Sequence, residues 1–396
     1  MSKGIWIPLL LLVGGASFFS APGVAAVTVR NGVAIYTPSA RESQQAGPVD
    51  FVNARPMELP RTYASTAPSY RDGMVEALLT PSRTTGSATS GAAPRVVPGA
   101  QGDGKTSPVF LGRPKVTSAD LRADLEVTTQ ESGTLNHPFS TARADAYQGS
   151  THTQFPYRAS GKLFFKVGTE TNVCTASLIR RGIIVTAAHC VAPFGRGFFY
   201  KNFRFVPGYK NGHAPFGVWW GTRAAVLNSW RNGTDRCSDA GVVCTNDVAV
   251  IRLAAKNGKF AGQHTGFYSY GVNGFGFVAG TTHVTQIGYP VCLDNGNLME
   301  RNDSQGFVHW PSSGNTIIGS LMCGGSSGGP WLLNFGRRPK LTGTSNGTAF
   351  AANTVIGVTS WGYVGGGPKQ QGASRFTGAN IGKLATMLCG GSPNPC

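Results

Sequence analysis

The second part of this chain is a series of short apolar segments bounded by Gly, Pro or Asn, with no amphipathic helical stretch between them. They stand at residues 162–167, 177–179, 182–185, 203–206, 248–253 and 354–359. Short β-branched and aromatic segments closed by turn residues are typical of strands, and closely spaced strands without helices form antiparallel barrels or sandwiches. The sequence therefore predicts an all-β protein with one short helix near its end, over residues 381–388.

Composition excludes several other architectures. Charged residues make up only 13% of the 396 residues, whereas Gly supplies 55 positions. An average soluble domain has roughly twice that charged fraction. A coiled coil, a helical repeat array and a charge-rich disordered protein are therefore excluded.

The first 26 residues predict a signal peptide. Lys3 supplies a positive charge, residues 5–13 are apolar, and residues 24–26 (Val-Ala-Ala) offer small side chains for cleavage. This apolar run is shorter than the ~20 residues of a membrane span, and no later stretch is long and apolar enough to be one. We expect a secreted protein, extracellular or periplasmic, rather than one anchored by its amino terminus.

The chain divides near residue 150. Residues 27–150 contain no cysteine, and they include a stretch rich in Thr, Ser, Gly, Ala and Pro. Such a composition buries too little apolar surface to fold. We interpret residues 27–150 as a propeptide or a weakly structured, partly disordered N-terminal extension, with a plain flexible spacer as the alternative. Residues 151–396 are the predicted folded domain.

Eight cysteines support export. All lie in the predicted folded domain: Cys174, Cys190, Cys237, Cys244, Cys292, Cys323, Cys389 and Cys396. An even number in an oxidising compartment predicts disulfides. Because no two are spaced as Cys-x-x-Cys, we expect no zinc site, and no pattern indicates another metal or a cofactor.

The chain is strongly basic, with a formal net charge of +17. A basic surface attracts polyanions such as acidic polysaccharide, anionic membranes or nucleic acid. The Lys and Arg residues are scattered, and no nucleic-acid-binding motif accompanies them. The charge therefore favours a generally basic exported protein, which we expect to be a monomer.

Two segments carry a histidine and an acid beside apolar strands. Residues 186–190 (Thr-Ala-Ala-His-Cys) place His189 next to small alanines and a cysteine, which predicts a tightly held imidazole. Asp247 stands at the start of the apolar segment 248–253. A carboxylate beside an imidazole fixes its tautomer and stabilises the imidazolium. Asp235 and Asp239 are rival acids, but neither adjoins a strand, so Asp247 is preferred.

A third segment, residues 323–330 (Cys-Gly-Gly-Ser-Ser-Gly-Gly-Pro), contains two adjacent serines among glycines. Glycines allow tight backbone conformations and close approach of a substrate carbonyl. The backbone N–H groups of Gly325 and Ser327 would then point at a developing oxyanion. A Gly/Ser linker is the alternative, but the apolar residues 331–333 follow at once. Composition alone leaves Ser326 and Ser327 as rival nucleophiles.

Together these segments resemble the trypsin/chymotrypsin-like serine endopeptidases over about residues 155–390. The segments at His189, Asp247 and Ser327 and residues 359–362 (Thr-Ser-Trp-Gly) follow the family's order. Residues 155–158 (Phe-Pro-Tyr-Arg) and 205–208 (Phe-Val-Pro-Gly) further resemble its secreted glutamyl-endopeptidase-like branch. The resemblance implies two antiparallel six-stranded β-barrels with the active site between them.

The resemblance also assigns roles. Ser327, placed by the Gly-Gly-Pro that follows it, would attack the scissile carbonyl in preference to Ser326. His189 would take and return the proton, and Asp247 would orient His189. The function expected is hydrolysis of protein or peptide substrates through an acyl-enzyme.

Two alternatives belong to other classes. Residues 325–329 also fit the Gly-x-Ser-x-Gly motif of α/β-hydrolases, but that class needs its histidine after the serine. The last histidine, His309, precedes Ser327, which excludes that class. A catalytically silent, protease-like binding protein is the other alternative. Such proteins usually lose a triad member, and all three candidates are present here.

For the disulfides, the resemblance implies a bridge from Cys174 to Cys190 around the histidine. Two further pairs, Cys237–Cys244 and Cys389–Cys396, are close in sequence. They leave Cys292 and Cys323 as the last pair. The family often joins the cysteine before the nucleophile to one shortly after the Ser-Trp-Gly strand. No cysteine follows Trp361 until Cys389, so the last pairing stays open.

The resemblance places the substrate-binding pocket at six residues: Leu321, Met322, Thr359, Ser360, Trp361 and Gly362. In the family, an Asp at the position of Leu321 selects Lys or Arg, and a His at the position of Thr359 marks the glutamyl-specific branch. Neither is present. We therefore expect an uncharged, apolar residue before the cleaved bond.

Activation is expected to differ from that of trypsin-like zymogens. There, a new apolar terminus pairs with an Asp directly before the nucleophile, but here that position is Ser326. Residues 145–150 (Asp-Ala-Tyr-Gln-Gly-Ser), where the new terminus would lie, show no Ile-Val-Gly-Gly-like start. Burying an ammonium without a carboxylate is costly. We expect local hydrogen bonds to hold the oxyanion loop, and residues 27–150 to inhibit the enzyme or to assist its folding.

Overall fold

The computed structural model describes residues 25–45, 47–63, 92–113, 115, 138–146, 148–278, 280–310, 313–336, 351–364 and 369–396. Residues 1–24 of the predicted signal peptide lie outside these ranges. Among the described residues, no helix has both the length and the apolar character needed to cross a membrane.

The described residues form mostly short strands, numbered here along the chain. Those before residue 150 are β1 (Ala26–Arg30), β2 (Val33–Thr37), β3 (Arg55–Pro56), β4 (Arg61–Tyr63), β5 (Arg95–Val97), β6 (Val109–Phe110) and β7 (Phe139–Arg143). The first half of the remainder holds β8 (Ser160–Val167), β9 (Glu170–Arg180), β10 (Ile183–Thr186), β11 (Lys201–Pro207), β12 (His213–Ala214), β13 (Trp219–Leu227), β14 (Cys237–Asp239), β15 (Val243–Cys244) and β16 (Ala249–Leu253). The second half holds β17 (Ser269–Val272), β18 (Thr281–Gly288), β19 (Glu300–Trp310), β20 (Asn315–Gly319), β21 (Pro330–Leu333), β22 (Thr354–Val364) and β23 (Gln370–Arg375).

The helices of the described residues are short. They are α1 (Ala40–Gln45), α2 (Asn228–Asn232), α3 (Ala261–Thr265) and α4 (Lys383–Leu388). A π-helical turn, Gly378–Gly382, leads into α4, which packs against β2, β13 and β16. This is the short C-terminal helix that the sequence predicts near residues 381–388.

Two closed barrels follow from the strand pairing. The first runs β13-β11-β8-β9-β10-β16 and closes through β16 and β13, and all its pairs are antiparallel. The second runs β21-β18-β19-β20-β23-β22 and closes through β22 and β21, again with antiparallel pairs throughout. The predicted all-β architecture of two six-stranded barrels is confirmed.

Strand β8 illustrates why these apolar segments become barrel strands. Alternate side chains of a strand point to opposite faces, and in β8 both faces are covered. Leu163 and Phe165 lie in a cluster made mainly by the first barrel, whereas Phe164 lies in a cluster that spans both barrels and α4. All three are fully buried. A strand buried on both faces is apolar at consecutive positions, as this segment is.

The described parts of residues 25–145 are laid onto the barrels as added strands. The hairpin β1–β2 extends the first barrel, because β2 pairs with β13. The next two strands pair parallel with barrel strands, β3 with β9 and β4 with β22. Further along, β5 pairs with β17, β6 with β12 and β7 with β19. Val33 and Ala34 of β2 are fully buried, so this part of the extension contributes to the core.

Four disulfides join the eight cysteines of the chain. The pairs are Cys174–Cys190, Cys237–Cys244, Cys292–Cys323 and Cys389–Cys396. The third links the turns that follow β18 to the segment before Ser327, which is the pair that the sequence leaves open. Closing loops in this way restricts the unfolded chain and stabilises the fold by roughly 2–4 kcal/mol per bridge.

Candidate active site

His189 lies on a 3₁₀ turn, Ala188–Cys190, just beyond the end of β10. The turn is held from two sides. Cys190 is bonded to Cys174 of β9, and the neighbouring Ala187 and Ala188 are fully buried. Small side chains let this turn pack into the core, so the imidazole is fixed with only 8% of the residue exposed.

Asp247 holds His189 at two points. Its Oδ1 accepts a hydrogen bond from the backbone N–H of His189 at 2.9 Å, and its Oδ2 lies 2.8 Å from Nδ1 of the imidazole. Asp247 has no exposed surface. A buried carboxylate needs hydrogen-bond donors, and a third one comes from the hydroxyl of Ser360, 2.5 Å from Oδ2. Asp235, one of the rival acids, bonds instead to Asn246 and Ser229.

The Ser327 loop abuts the turn that carries His189. The N–H of Thr175 in β9 donates to the carbonyl of Ser327 at 2.8 Å. Gly328 has a φ of +78°, and a Cβ placed on it would lie 1.9 Å from Oγ1 of Thr186 and 2.8 Å from the backbone nitrogen of Ala187. Only glycine permits this approach between the two loops.

Two buried polar atoms in this region have no hydrogen-bond partner among the described residues. They are Oγ of Ser327 and Nε2 of His189. With Nδ1 of His189 engaged by Asp247, Nε2 is the imidazole atom left to take a proton.

The rival nucleophile, Ser326, has its hydroxyl engaged. Its Oγ donates to the carbonyl of Cys323 at 2.6 Å and accepts from Nε2 of Gln371 at 3.3 Å. The backbone N–H of Ser326 also donates to Cys323. These bonds hold the loop locally, and they direct the hydroxyl proton of Ser326 to the carbonyl of Cys323 and not to His189.

The two predicted oxyanion donors differ in their surroundings. The N–H of Gly325 donates to the carbonyl of Met57 at 3.2 Å. Gly325 has a φ of +91°, and a Cβ there would lie 2.5 Å from the carbonyl of Tyr289. The N–H of Ser327 has no backbone hydrogen bond among those that the described residues form. Gly325 is therefore already bonded to a carbonyl, and that carbonyl comes from the N-terminal extension.

The six residues predicted to bind substrate have different surroundings. Thr359 and Trp361 are buried and hydrogen-bonded inward, Thr359 to Gln286 at 2.8 Å and Trp361 to Asn315 at 2.7 Å. Leu321 is half-buried and Met322 is 5% exposed. Ser360 faces Asp247, and Gly362 faces Leu59 of the extension, whose Cδ2 would lie 2.8 Å from a Cβ at this position.

A buried amide network beside the Ser327 loop is not visible in the sequence. Gln286 accepts from Ser320 at 2.8 Å and donates to Gln371 at 2.5 Å, and Gln371 donates to the carbonyl of Met322 at 2.7 Å. These side chains come from different strands of the second barrel, so no local motif joins them. The two Gln residues give no sequence signal either, because both strands carry several other polar residues.

Potential metal ligands converge at two places within the described residues: Cys174, His189 and Cys190, and Asp235, Cys237 and Cys244. The four cysteines are paired in disulfides. A metal ion binds the thiolate form of cysteine, which these residues do not offer.

The chain is similar to several known proteins. A glutamyl endopeptidase of Bacillus licheniformis is 25% identical over 267 residues, 65% of this chain and 74% of that protein. A Bacillus subtilis protein named extracellular metalloprotease is 28% identical over 148 residues, 37% of this chain and 44% of that protein. Among solved structures, the protease Anisep of Arthrobacter nicotinovorans aligns with a TM-score of 0.45 and 24% identity, covering 56% of this chain and 90% of that one.

The trypsin family model matches residues 147–380, more than half of the chain and nearly all of both barrels. It spans the turn of His189, the strand start at Asp247 and the loop of Ser327. The chain belongs to the trypsin family of serine endopeptidases.

Proposed function

We propose that the protein hydrolyses peptide bonds with Ser327 as nucleophile, His189 as general base and acid, and Asp247 as the group that orients His189. The observation that carries this proposal is the double hydrogen bond from His189 to Asp247. It holds the proton on Nδ1 and leaves Nε2 free, while Ser327 Oγ on the adjoining loop also lacks a partner. A positioned nucleophile, base and orienting acid are the parts that this chemistry requires.

The reaction follows from those positions. Oγ of Ser327 attacks the substrate carbonyl carbon as its proton passes to Nε2 of His189. The C–N bond then breaks as His189 returns that proton to the leaving amine, which leaves an ester on Ser327. Water attacks the ester, gives a proton to His189 and releases the acid, and Ser327 regains its proton. Asp247 stabilises the imidazolium in both halves of the reaction.

The N–H groups of Gly325 and Ser327 are proposed to bind the oxyanion. A donor of this kind contributes about 3–4 kcal/mol to stabilising the transition state. The loop that carries them is held by Ser326 Oγ on Cys323 and by Oγ1 of Thr175 on the carbonyl of Gly325 at 2.8 Å. One bond within the loop and one from β9 thus support a loop that needs no inserted terminal ammonium.

An uncharged, apolar residue is proposed before the cleaved bond. Four described side chains next to the Ser327 loop carry no charge: Leu321, Met322, Gln286 and Gln371. A cationic substrate side chain would find no carboxylate among them, and an anionic one no cation. Glutamyl specificity, suggested by the name of the Bacillus licheniformis relative, is the competing outcome.

We further propose that the protein acts outside the cytoplasm as a monomer. The four disulfides support an oxidising compartment. The scattered positive charge would attract polyanions weakly and in a salt-dependent way.

The test is steady-state hydrolysis of a peptide library by the purified secreted protein. Ser327→Ala and His189→Ala are each expected to lower kcat/KM by several orders of magnitude. Ser326→Ala removes only a hydrogen bond that holds the loop and should lower it far less. Activity that survives Ser327→Ala but is lost in Ser326→Ala would move the nucleophile by one residue. Inhibition by a chelator, with full activity in Ser327→Ala, would replace this mechanism by a metal-dependent one. Preferred cleavage after Lys, Arg or Glu would reject the proposed pocket.

A further inference from the structure

A segment of the N-terminal extension lies across the proposed active site. Residues 54–63 run from the first barrel to the second, with β3 pairing parallel to β9 at Asn172 and Val173. Six residues later, β4 pairs parallel to β22 from Gly362 onward. The groove between these two barrel strands holds the loop of Ser327.

At the centre of the segment, Met57 is fixed on both sides. Its N–H donates to the carbonyl of Val173 at 2.8 Å, and its own carbonyl accepts from the N–H of Gly325 at 3.2 Å. Gly325 is a proposed oxyanion donor. The carbonyl of Met57 therefore occupies the N–H of Gly325, which catalysis would need for the oxyanion of the substrate.

Leu59 and Pro60 occupy the wall of the proposed specificity pocket. The N–H of Gly362 donates to the carbonyl of Pro60 at 3.0 Å. Leu59 is only 6% exposed and lies where any side chain at position 362 would stand. Its apolar character matches the uncharged substrate residue proposed for this pocket.

The direction of the segment opposes cleavage. An attack on the Met57 carbonyl would have to release the nitrogen of Glu58, which follows Met57 and leads toward β22 of the second barrel. His189, which would protonate that nitrogen, belongs to the first barrel, on the side where the chain before Met57 pairs with β9. The leaving nitrogen would thus depart toward the second barrel, whereas its acid belongs to the first.

We propose that residues 54–63 are a tethered peptide ligand of the substrate groove, bound in a direction that prevents their cleavage, and that they keep the protease latent. The inference rests on the proposed function. Neighbouring strands of the extension are anchored on the barrels, β2 on β13 and β5 on β17. Tethering raises the effective concentration of the segment at the groove, so that modest contacts suffice to keep it bound.

The test compares the full chain with variants that loosen the segment. A fluorophosphonate probe needs the same oxyanion donors, so its rate of reaction reports whether the groove is open. Leu59→Asp should react at least tenfold faster than the unsubstituted chain, and Leu59→Ala should fall between them. Val29→Asp, an equally polar change at a half-exposed position of β1, should react at the rate of the unsubstituted chain. Thermal unfolding of each variant shows that it is folded.

A second measurement supplies the ligand separately. A synthetic peptide of residues 54–63 (Ala-Arg-Pro-Met-Glu-Leu-Pro-Arg-Thr-Tyr), added to Leu59→Asp, should inhibit competitively and be recovered intact. The same peptide with Asp in place of its leucine should inhibit at least tenfold more weakly. Cleavage between its Met and Glu would overturn the proposed direction.

The outcomes separate this inference from the proposed function. Equal and rapid labelling of the unsubstituted chain and Leu59→Asp would overturn latency and leave the proposed function standing. No labelling of any folded variant would overturn both, because releasing the segment would then expose no reactive serine.

Discussion

The hydroxyl of Ser360 donates a 2.5 Å hydrogen bond to Oδ2 of Asp247, the same oxygen that accepts from the imidazole of His189. All three residues are buried, so this bond is shielded from water. Hydrogen bonds to a buried charged group are stronger than those between neutral groups. Ser360 therefore helps to hold Asp247 in place beside His189.

Replacing Ser360 tests this relationship. In Ser360→Ala the carboxylate loses a donor worth about 1.5–3 kcal/mol, so kcat is expected to fall roughly 10- to 100-fold. KM should change little if Ser360 acts through Asp247 instead of touching substrate. Ser360→Thr, which keeps the hydroxyl, serves as the control and should retain most of kcat. A rise in KM at constant kcat would instead place Ser360 in substrate binding.

Gly328 is expected to tolerate no side chain. A Cβ would meet one side-chain atom, Thr186 Oγ1, and two backbone atoms, the carbonyl of Thr175 at 2.4 Å and the nitrogen of Ala187 at 2.8 Å. Together with the strain of its positive φ, Gly328→Ala should lower the free energy of unfolding by about 3 kcal/mol. Urea denaturation measures this change.

Two control variants accompany the urea denaturation of Gly328→Ala. Gly390→Ala should have little effect, because a Cβ there meets nothing within 4 Å. Adding Thr186→Ala to Gly328→Ala should not restore stability, since both backbone contacts remain. Full rescue by Thr186→Ala would contradict the close approach of the two loops.

The hairpin β1–β2 is expected to stabilise the protease. Val33 in β2 is fully buried, whereas Val29 in β1 is 50% exposed. Val33→Ala should lower the free energy of unfolding by roughly 2 kcal/mol, because it removes buried methyl groups and leaves a cavity. Val29→Ala is the matched control and should change it little. Equal, negligible effects would show that the hairpin is not part of the folded unit.

Stability is expected to depend on pH through Glu300. Burial, then the neighbouring Asp294, raise the pKa of Glu300 to about 8, although Arg143 acts in the opposite direction. Between the unfolded value near 4.5 and about 8, the folded state binds more protons than the unfolded state. The free energy of unfolding therefore falls as pH rises through this window, by up to about 1.4 kcal/mol per pH unit.

Glu300→Gln should remove that pH dependence. Measured by urea denaturation from pH 4.5 to 8.5, its slope should be flatter than that of the unsubstituted protein, with the largest gain in stability above pH 8. Glu170→Gln changes a side chain that is 57% exposed and should leave the slope unaltered. Parallel slopes for all three proteins would show that Glu300 titrates normally.

Local patterns in the sequence predict short antiparallel strands, and the resemblance to the serine endopeptidases implies the two barrels and the loops of the candidate triad. His189, Asp247 and Ser327 each follow or precede an apolar strand, and a strand's position fixes where its neighbouring loop emerges. The bond from Ser360 to Asp247 and the network of Gln286 and Gln371 could not be predicted, because they join residues far apart in sequence through side chains without a local motif.

The strands of the N-terminal extension also could not be predicted from local sequence patterns. Two of its strands, β3 and β4, are two and three residues long, too short to produce a periodic pattern. Both gain their stability from a partner strand in a barrel rather than from their own residues. Composition therefore predicts a weakly structured segment. The hydrogen bond from Gly325 to the carbonyl of Met57 could not be predicted, because it forms only once both barrels are folded.

The most direct test of the central claim is to map the fluorophosphonate adduct by mass spectrometry of the labelled, digested protein. A single phosphonylated residue, Ser327, is expected, with labelling abolished in His189→Ala and retained in Ser326→Ala. An adduct on Ser326, or one on Ser327 that forms equally fast in His189→Ala, would contradict the central claim.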